Sequence, residues 1–262
     1  MNKAVICTKH KKGALIASRL KRIGLDVVED TSFDTDSLGT FDMEIARTLS
    51  PIDAAQHKAK VATKVNNTQF GIGSEGTFGQ GPYAGIVNWC EEVLCLYDAE
   101  INHTIYAFAQ GPISVNTVDI NNTAQLIETT QSSLGQRWMI TLPSGIEKGL
   151  SLNDIQHLID HARVSFPFTL MPDYRACHCT ERQEIIKQAA DDLIKRFNAK
   201  CPACDKPNFV VNETVEGLPC EYCGFPTQQV KRRITTCECC QYQRDEPVST
   251  LASQQYCQLC NP

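Results

Sequence analysis

Nine of the chain's fourteen cysteines crowd into residues 201–260, and eight of them stand in four Cys-x-x-Cys pairs. In a reducing compartment such pairs point to metal rather than to disulfides, because each pair folds into a tight knuckle that presents two thiolates to one ion. Read in chain order, CPAC and CEYC supply Cys201, Cys204, Cys220 and Cys223 across a fifteen-residue spacer. CECC and CQLC repeat the arrangement with Cys237, Cys240, Cys257 and Cys260 across sixteen residues, leaving Cys239 over. The expectation is a pair of zinc ribbons holding two structural zinc ions, which supply the stability that a short segment with little apolar sequence lacks. A redox role would need exposed, low-pKa thiols, whereas four thiolates on zinc are protected. Nucleic acid is the lesser expectation for this module: KRR at 231–233 is its one basic cluster, and acids outnumber bases over 201–262. A protein partner is the stronger one. The Cys177-His178-Cys179 triplet lacks a nearby fourth ligand, so His178 and Arg175 read better as polar groups facing a ligand than as part of a third metal site.

A second constellation lies near the N-terminus. TKHKK places Thr8, Lys9, Lys11 and Lys12 at a strand-to-helix turn, where cations and a helix N-terminus together suit phosphate. The plainer reading is a solvated basic loop. In GIGSEGTFG a single carboxylate, Glu75, stands among four glycines. Either it decorates a turn, or it sits at the carboxyl end of a central strand, with Gly73 and Gly76 admitting a ligand close to the backbone. Asp53 is explained by capping its own helix or by service as a second acid, and Lys58 follows one turn later. Asp42 and Glu44 stand in a long polar stretch, DTSFDTDSLGTFDMEIART, which is long for a connector.

The elements that must position these groups alternate. KAVIC reads as a strand, Ile16, Leu20 and Ile23 mark a helix closed by Gly24, and LDVV resumes as a strand. SPIDAAQHKAKVA carries Ser50 as N-cap, Pro51 at the first helical position and a stripe of Ile52, Ala55, Ala59 and Ala62. TQFGIGSEG is a strand running into a glycine turn, followed by strands at EVLCLYD, TIYAFAQ and RWMITLP. SLNDIQHLIDHA and the long TERQEIIKQAADDLIKRF are helices, the second with a capping-box pattern at Thr180 and Gln183. This is an α/β pattern: a mixed sheet with flanking helices over 1–199, then the double ribbon over 200–262.

The whole has 262 residues and a net charge of −5, so its surface repels nucleic-acid phosphates except at a local patch. No apolar run approaches the roughly 18 residues of a membrane span, and the opening MNKAVICTKHKKG is far short of a secretory core, so a cytoplasmic location without membrane contact is expected.

TDSLGTF, SEGTFG and the paired cysteine clusters ending in CNP resemble a bacterial family catalogued as domain of unknown function 6671. Residues 1–199 are also distantly similar to the inosine/xanthosine triphosphate pyrophosphatase superfamily, in pieces that keep the family's order. Thr8 and Lys12 match its phosphate-binding turn, with Lys9 where that family has Asn. Asp53 and Lys58 match its metal-binding helix, Glu75 and Gly76 its catalytic strand end, and Arg175 and His178 its base-recognition segment. This resemblance implies a magnesium-dependent hydrolase of nucleotides or other phosphorylated small molecules. Glu75 and Asp53 would be its catalytic acids, and Thr8, Lys12, Lys58, Arg175 and His178 its ligand contacts. The alternative is a non-catalytic sensor of such a ligand, an adaptor whose ribbons dock a protein or nucleic-acid partner.

Overall fold

A computed structural model describes residues 1–32, 49–79, 81 and 87–262. The long polar stretch with Asp42 and Glu44 lies outside the described residues, apart from its first few positions. The chain divides into two compact units, Met1–Ile194 and Lys195–Pro262.

The first unit opens with β1 (Asn2–Cys7), α1 (Lys12–Leu20), a turn of 3-10 helix and β2 (Leu25–Asp30), with Gly24 in the left-handed conformation at the helix end. β2 lies parallel to β1. α2 (Pro51–Asn66) starts at Ser50, whose hydroxyl accepts from the Asp53 N–H, and it returns the chain to β3 (Phe70–Gly79), parallel to β1 on its other side. β4 (Asn88–Asp98) and β5 (His103–Ile113) then add as antiparallel strands, giving the mixed order β2-β1-β3-β4-β5.

β3 does not end at its glycines. It runs through them to Gly79, and the reason is the neighbouring helix. A Cβ at Gly71 would collide with the Ala59 carbonyl oxygen, and one at Gly73 with that of Ala55, so the glycines let α2 lie with its backbone against the sheet. Ala55, Ala59 and Ala62 are fully buried in that contact, while Ile52, expected on the same stripe, is exposed at the helix start.

A second sheet follows: β6 (Val118–Ile120), α3 (Thr123–Gln131), β7 (Trp138–Leu142), β8 (Gly145–Leu150), α4 (Leu152–Asp160) and β9 (Phe168–Pro172), in the order β6-β9-β7-β8. Trp138, Ile140, Leu126, Ile155 and Leu170 form its core. α4 begins on a capping box made by Ser151 and Asp154. Opposite Trp138 and Met139 the register of β8 slips, leaving Gly149 as a bulge residue at φ 75°. α5 (Thr180–Asn198) buries Ile186, Ala189 and Leu193 and passes through the unit boundary. Its expected capping box does not form: Thr180 is already helical, and the Gln183 side chain donates to the Ala176 carbonyl instead.

The second unit is built on an antiparallel sheet, β10 (Glu213–Glu216), β11 (Val230–Thr236) and β12 (Gln243–Pro247), in that order, surrounded by the cysteine knuckles.

Candidate functional site

Strand alternation sorts the side chains of β3 onto two faces. Gly71, Gly73 and Glu75 face α2, and Ser74 and Gly76 face the side where Lys12 of α1 and Arg182 of α5 arrive. On the α2 face the Lys58 ammonium donates to the Glu75 carboxylate at 2.5 Å, so two residues singled out from the sequence do meet. Glu75 is the sixth of ten strand residues and 9% exposed, a mid-strand position rather than the strand's carboxyl end.

On the other face the centre is Glu92 of β4, opposite Gly76 in register and buried. Lys12 Nζ donates to Glu92 Oε1 at 2.7 Å and to Ser74 Oγ at 2.9 Å, and the Ser74 hydroxyl donates to the same Oε1 at 2.5 Å. Arg182 reaches Oε2 through Nε and Nη2 at 3.2 and 3.0 Å, and its Nη1 donates to the Tyr174 carbonyl. Gly76 is required here as well, because a Cβ would strike the Arg182 guanidinium and the Glu92 carboxylate. Burial alone would raise the Glu92 pKa, but Arg182 and Lys12 together overturn it and hold the carboxyl at about 2. Two cations compete for this one carboxylate. Lys12, the weaker claimant, is lowered to about 8, by burial first, with Arg182 adding to it against the pull of Glu92. The expected phosphate contact Lys12 is therefore placed in an interior network, not on an open surface. Sequence reasoning missed Ser74, Glu92 and Arg182, since an acid in a strand and an arginine early in a helix carry no motif.

The turn after β1 is shaped by Thr8, whose Oγ1 accepts from the His10 N–H, and by Lys11 in the left-handed conformation at φ 56°. The N-terminus of α1 already has its anion: Gly13 N–H donates to the Glu29 carboxylate at 2.6 Å. The cations of the turn face elsewhere. Lys9, His10 and Lys11 line a cleft of about 550 Å³ together with Arg137, Arg175, Cys177 and His178. Four permanent cations line it, and no carboxylate does among the described residues.

The far wall of the cleft is firmly built. Arg137 N–H donates to the His178 carbonyl at 3.0 Å, Asp173 N–H donates to the Arg137 carbonyl at 2.9 Å, and the Gln136 amide donates to the carbonyls of Arg137 and Asp173. The buried Asp173 carboxylate accepts from the Arg175 N–H, Nε and Nη2, which fixes the guanidinium at the cleft. The bulge at Gly149 lies against the same pair: a Cβ there would be 3.3 Å from His178 Nε2 and 3.5 Å from Arg175 Nη2. Burial lowers the His178 pKa from its ordinary 6.5, and Arg175, Arg137 and Lys11 push the same way against Asp173. Asp53 lies apart from this cleft's lining and serves its helix, accepting from the Ser50 hydroxyl at 2.6 Å.

The eight paired cysteines form two tetrads, but not in chain order. Cys201 and Cys204 face Cys237 and Cys240, and Cys220 and Cys223 face Cys257 and Cys260. The first knuckle thus pairs with the third and the second with the fourth, in place of the two consecutive ribbons expected. The cause is the sheet: β10 and β11 pair as an antiparallel hairpin, so the chain passes the second knuckle between them and returns to the first. Sulfur separations are 3.6 Å for Cys201–Cys240 and Cys204–Cys237, and 3.9 and 3.5 Å for Cys220–Cys260 and Cys223–Cys257. A tetrahedral ion with bonds of roughly 2.3 Å to sulfur sets its ligands roughly 3.8 Å apart, so both tetrads fit a four-thiolate metal centre. Cys239 is exposed and belongs to neither.

Among the described residues no helix is long and apolar enough to cross a membrane. A family model described as Domain of unknown function (DUF6671) matches residues 58–262, which includes Glu75, Glu92, the Arg175–His178 wall and both tetrads. No curated protein matches the chain.

Proposed function

Since the chain belongs to the DUF6671 family, we propose from the geometry of its site that the first unit binds a phosphorylated small molecule of the nucleotide class, with the phosphates in the cationic cleft. The observation that carries this is the convergence of Lys9 and Lys11 from one turn with Arg137 and Arg175 from two others, with no acid in the lining among the described residues, the partners Asp154 of Arg137 and Asp173 of Arg175 standing outside it. Arg175, clamped by Asp173, offers a fixed fork suited to a phosphate's paired oxygens, and the lysines add mobile positive charge. His178 beside it is a neutral donor or acceptor near pH 7.

Hydrolysis is the second reading, favoured by the buried Lys58–Glu75 pair. Magnesium does not fit the described residues as they stand. Glu75 is tied to Lys58, Glu92 is shared by Lys12 and Arg182, and the cleft lining offers no carboxylate. For the second unit, the eight thiolates match zinc, and we read the module as a structural device with a protein-contact surface. Of the one basic cluster that nucleic acid would use, Arg232 is answered by Asp245 of the neighbouring strand β12.

Equilibrium binding of pyrophosphate and of a nucleoside triphosphate panel tests the proposal. Saturable binding that falls at least about tenfold in Arg175→Ala supports it, read at a temperature where the variant, which leaves the buried Asp173 carboxylate without its guanidinium, is still folded. Equal binding by parent and variant overturns it. Turnover of the same panel, abolished in Glu75→Gln, would convert the binding reading into the hydrolase one.

A further inference from the structure

The α2 face of the first sheet carries a second recess, of about 460 Å³, beneath the first turn of α2. Its floor follows from strand register. Thr77, Glu91 and Gln110 align across β3, β4 and β5, and Val93 and Phe108 align in the next row of the same face, whose β3 member, Glu75, is held by Lys58 and does not line the recess. Pro51 and Ile52 complete a mostly apolar wall. The floor therefore sets a flat apolar row beside a polar row centred on a carboxylate. Glu92 also borders the recess, but its own carboxylate is held on the opposite face by Lys12 and Arg182, so Glu91 is the acid that addresses this space. The recess has no use for an anion, because the N-terminus of α2 is already served by Ser50 and Asp53. Phe108, though 45% exposed, offers a ring beside Val93.

We propose that this recess is a binding site for a planar aromatic heterocycle carrying amino or ring N–H donors, the ring lying over Val93 and Phe108 and its donor edge turned to Glu91. Stacking on an aromatic side chain supplies affinity, and charge-assisted hydrogen bonds to the carboxylate supply selection. A heterocycle without donors leaves Glu91 facing an apolar edge and is rejected for that reason. The site shares no lining residue with the cationic cleft, so it stands whether or not the cleft holds phosphate.

Fluorescence titration of the full-length protein with 2-aminopurine riboside, with purine riboside as displacing competitor, tests it. The expected result is saturable binding, with a preference for the amino compound that Glu91→Gln erases together with at least about tenfold of affinity. Phe108→Ala should weaken binding about tenfold and Phe108→Trp should restore it, both without loss of fold, since the position is exposed. Arg175→Ala should leave this binding unchanged. The proposal is overturned by absence of saturable binding, by equal affinity in the parent and both loss variants, by equal binding of the two ribosides, or by dependence on Arg175.

Discussion

Glu92 is a carboxylate that two cations share beyond the reach of water, and its worth is conditional on both. Replacing it by Gln keeps the shape but leaves the Lys12 ammonium and the Arg182 guanidinium buried without a counter-charge, a situation that costs about 3–5 kcal/mol. Denaturant unfolding at pH 7 should show a loss of that size for Glu92→Gln, against about 1 kcal/mol for Ser74→Ala, which removes only a hydroxyl from the same network. The acid limb follows from the lowered pKa. The folded carboxyl at about 2 lies below its ordinary 4.5, so its contribution is complete above 4.5 and is lost as pH falls through 2. Over that interval the parent should lose on the order of 3 kcal/mol more than Glu92→Gln. In the cleft, His178 runs on a different window. It gains its proton only below its ordinary 6.5, and that proton adds a fifth cation. Sulfate, which does not titrate in this range, should bind more tightly as pH falls from 7 towards 5 in the parent but not in His178→Gln, as read by calorimetry.

Among the elements, β3 and α2 are coupled by the absence of side chains. Gly73→Ala should destabilise the first unit by about 3 kcal/mol, because the added methyl meets the α2 backbone, which moves only if the whole helix lifts. The same substitution at Gly79, where no described residue lies within 4 Å of a Cβ, should be tolerated, and the two melting curves make the comparison. These glycines also mark where sequence reasoning reached its limit. Glycine punctuates turns more often than strands, so GIGSEGTFG reads as a strand end, and only the alanine stripe of α2, itself visible as Ala55, Ala59 and Ala62, hints that a helix needs the space. The βαβ opening, α2 with its Ser50 cap and α4 with its Ser151 cap were legible because caps and periodicity are local signals. The basic turn was legible as charge but not in its inner arrangement: Lys9 and Lys11 line the cleft while Lys12, one residue on, begins the helix and turns inward. Arg137, Asp173 and Gly149 carried no sequence signal, since their roles arise from strand partners far away along the chain.

For the molecule as a whole, two units with separate cores imply separable transitions. Metal analysis should find two ions per chain. Chelation should unfold the second unit while hydrogen exchange in β1, β3 and β4 stays protected. Interleaving sharpens this expectation. Cys201→Ser and Cys220→Ser belong to different tetrads that share one sheet, so each variant should lose exchange protection across all of β10, β11 and β12 rather than in one half. Two independent ribbons would instead melt one at a time. The eight ligands were legible because two-residue spacing within each knuckle is dictated by the metal. Their partnership was not, because spacers of similar length between knuckles permit either pairing.

That interleaving also fixes a timetable for the nascent chain. The first centre needs Cys240, which is 39 residues beyond Cys201, and the second needs Cys260, 40 residues beyond Cys220. At a synthesis rate of roughly 5–20 residues per second, early thiols wait about 2–8 seconds for their partners. From about the middle of that wait Cys220 and Cys223 lie between the two halves of the first tetrad, available as wrong ligands for its ion. A chain stalled between Cys223 and Cys237 holds four thiols that no finished centre combines, so premature arrest should trap metal in a set the mature protein never uses.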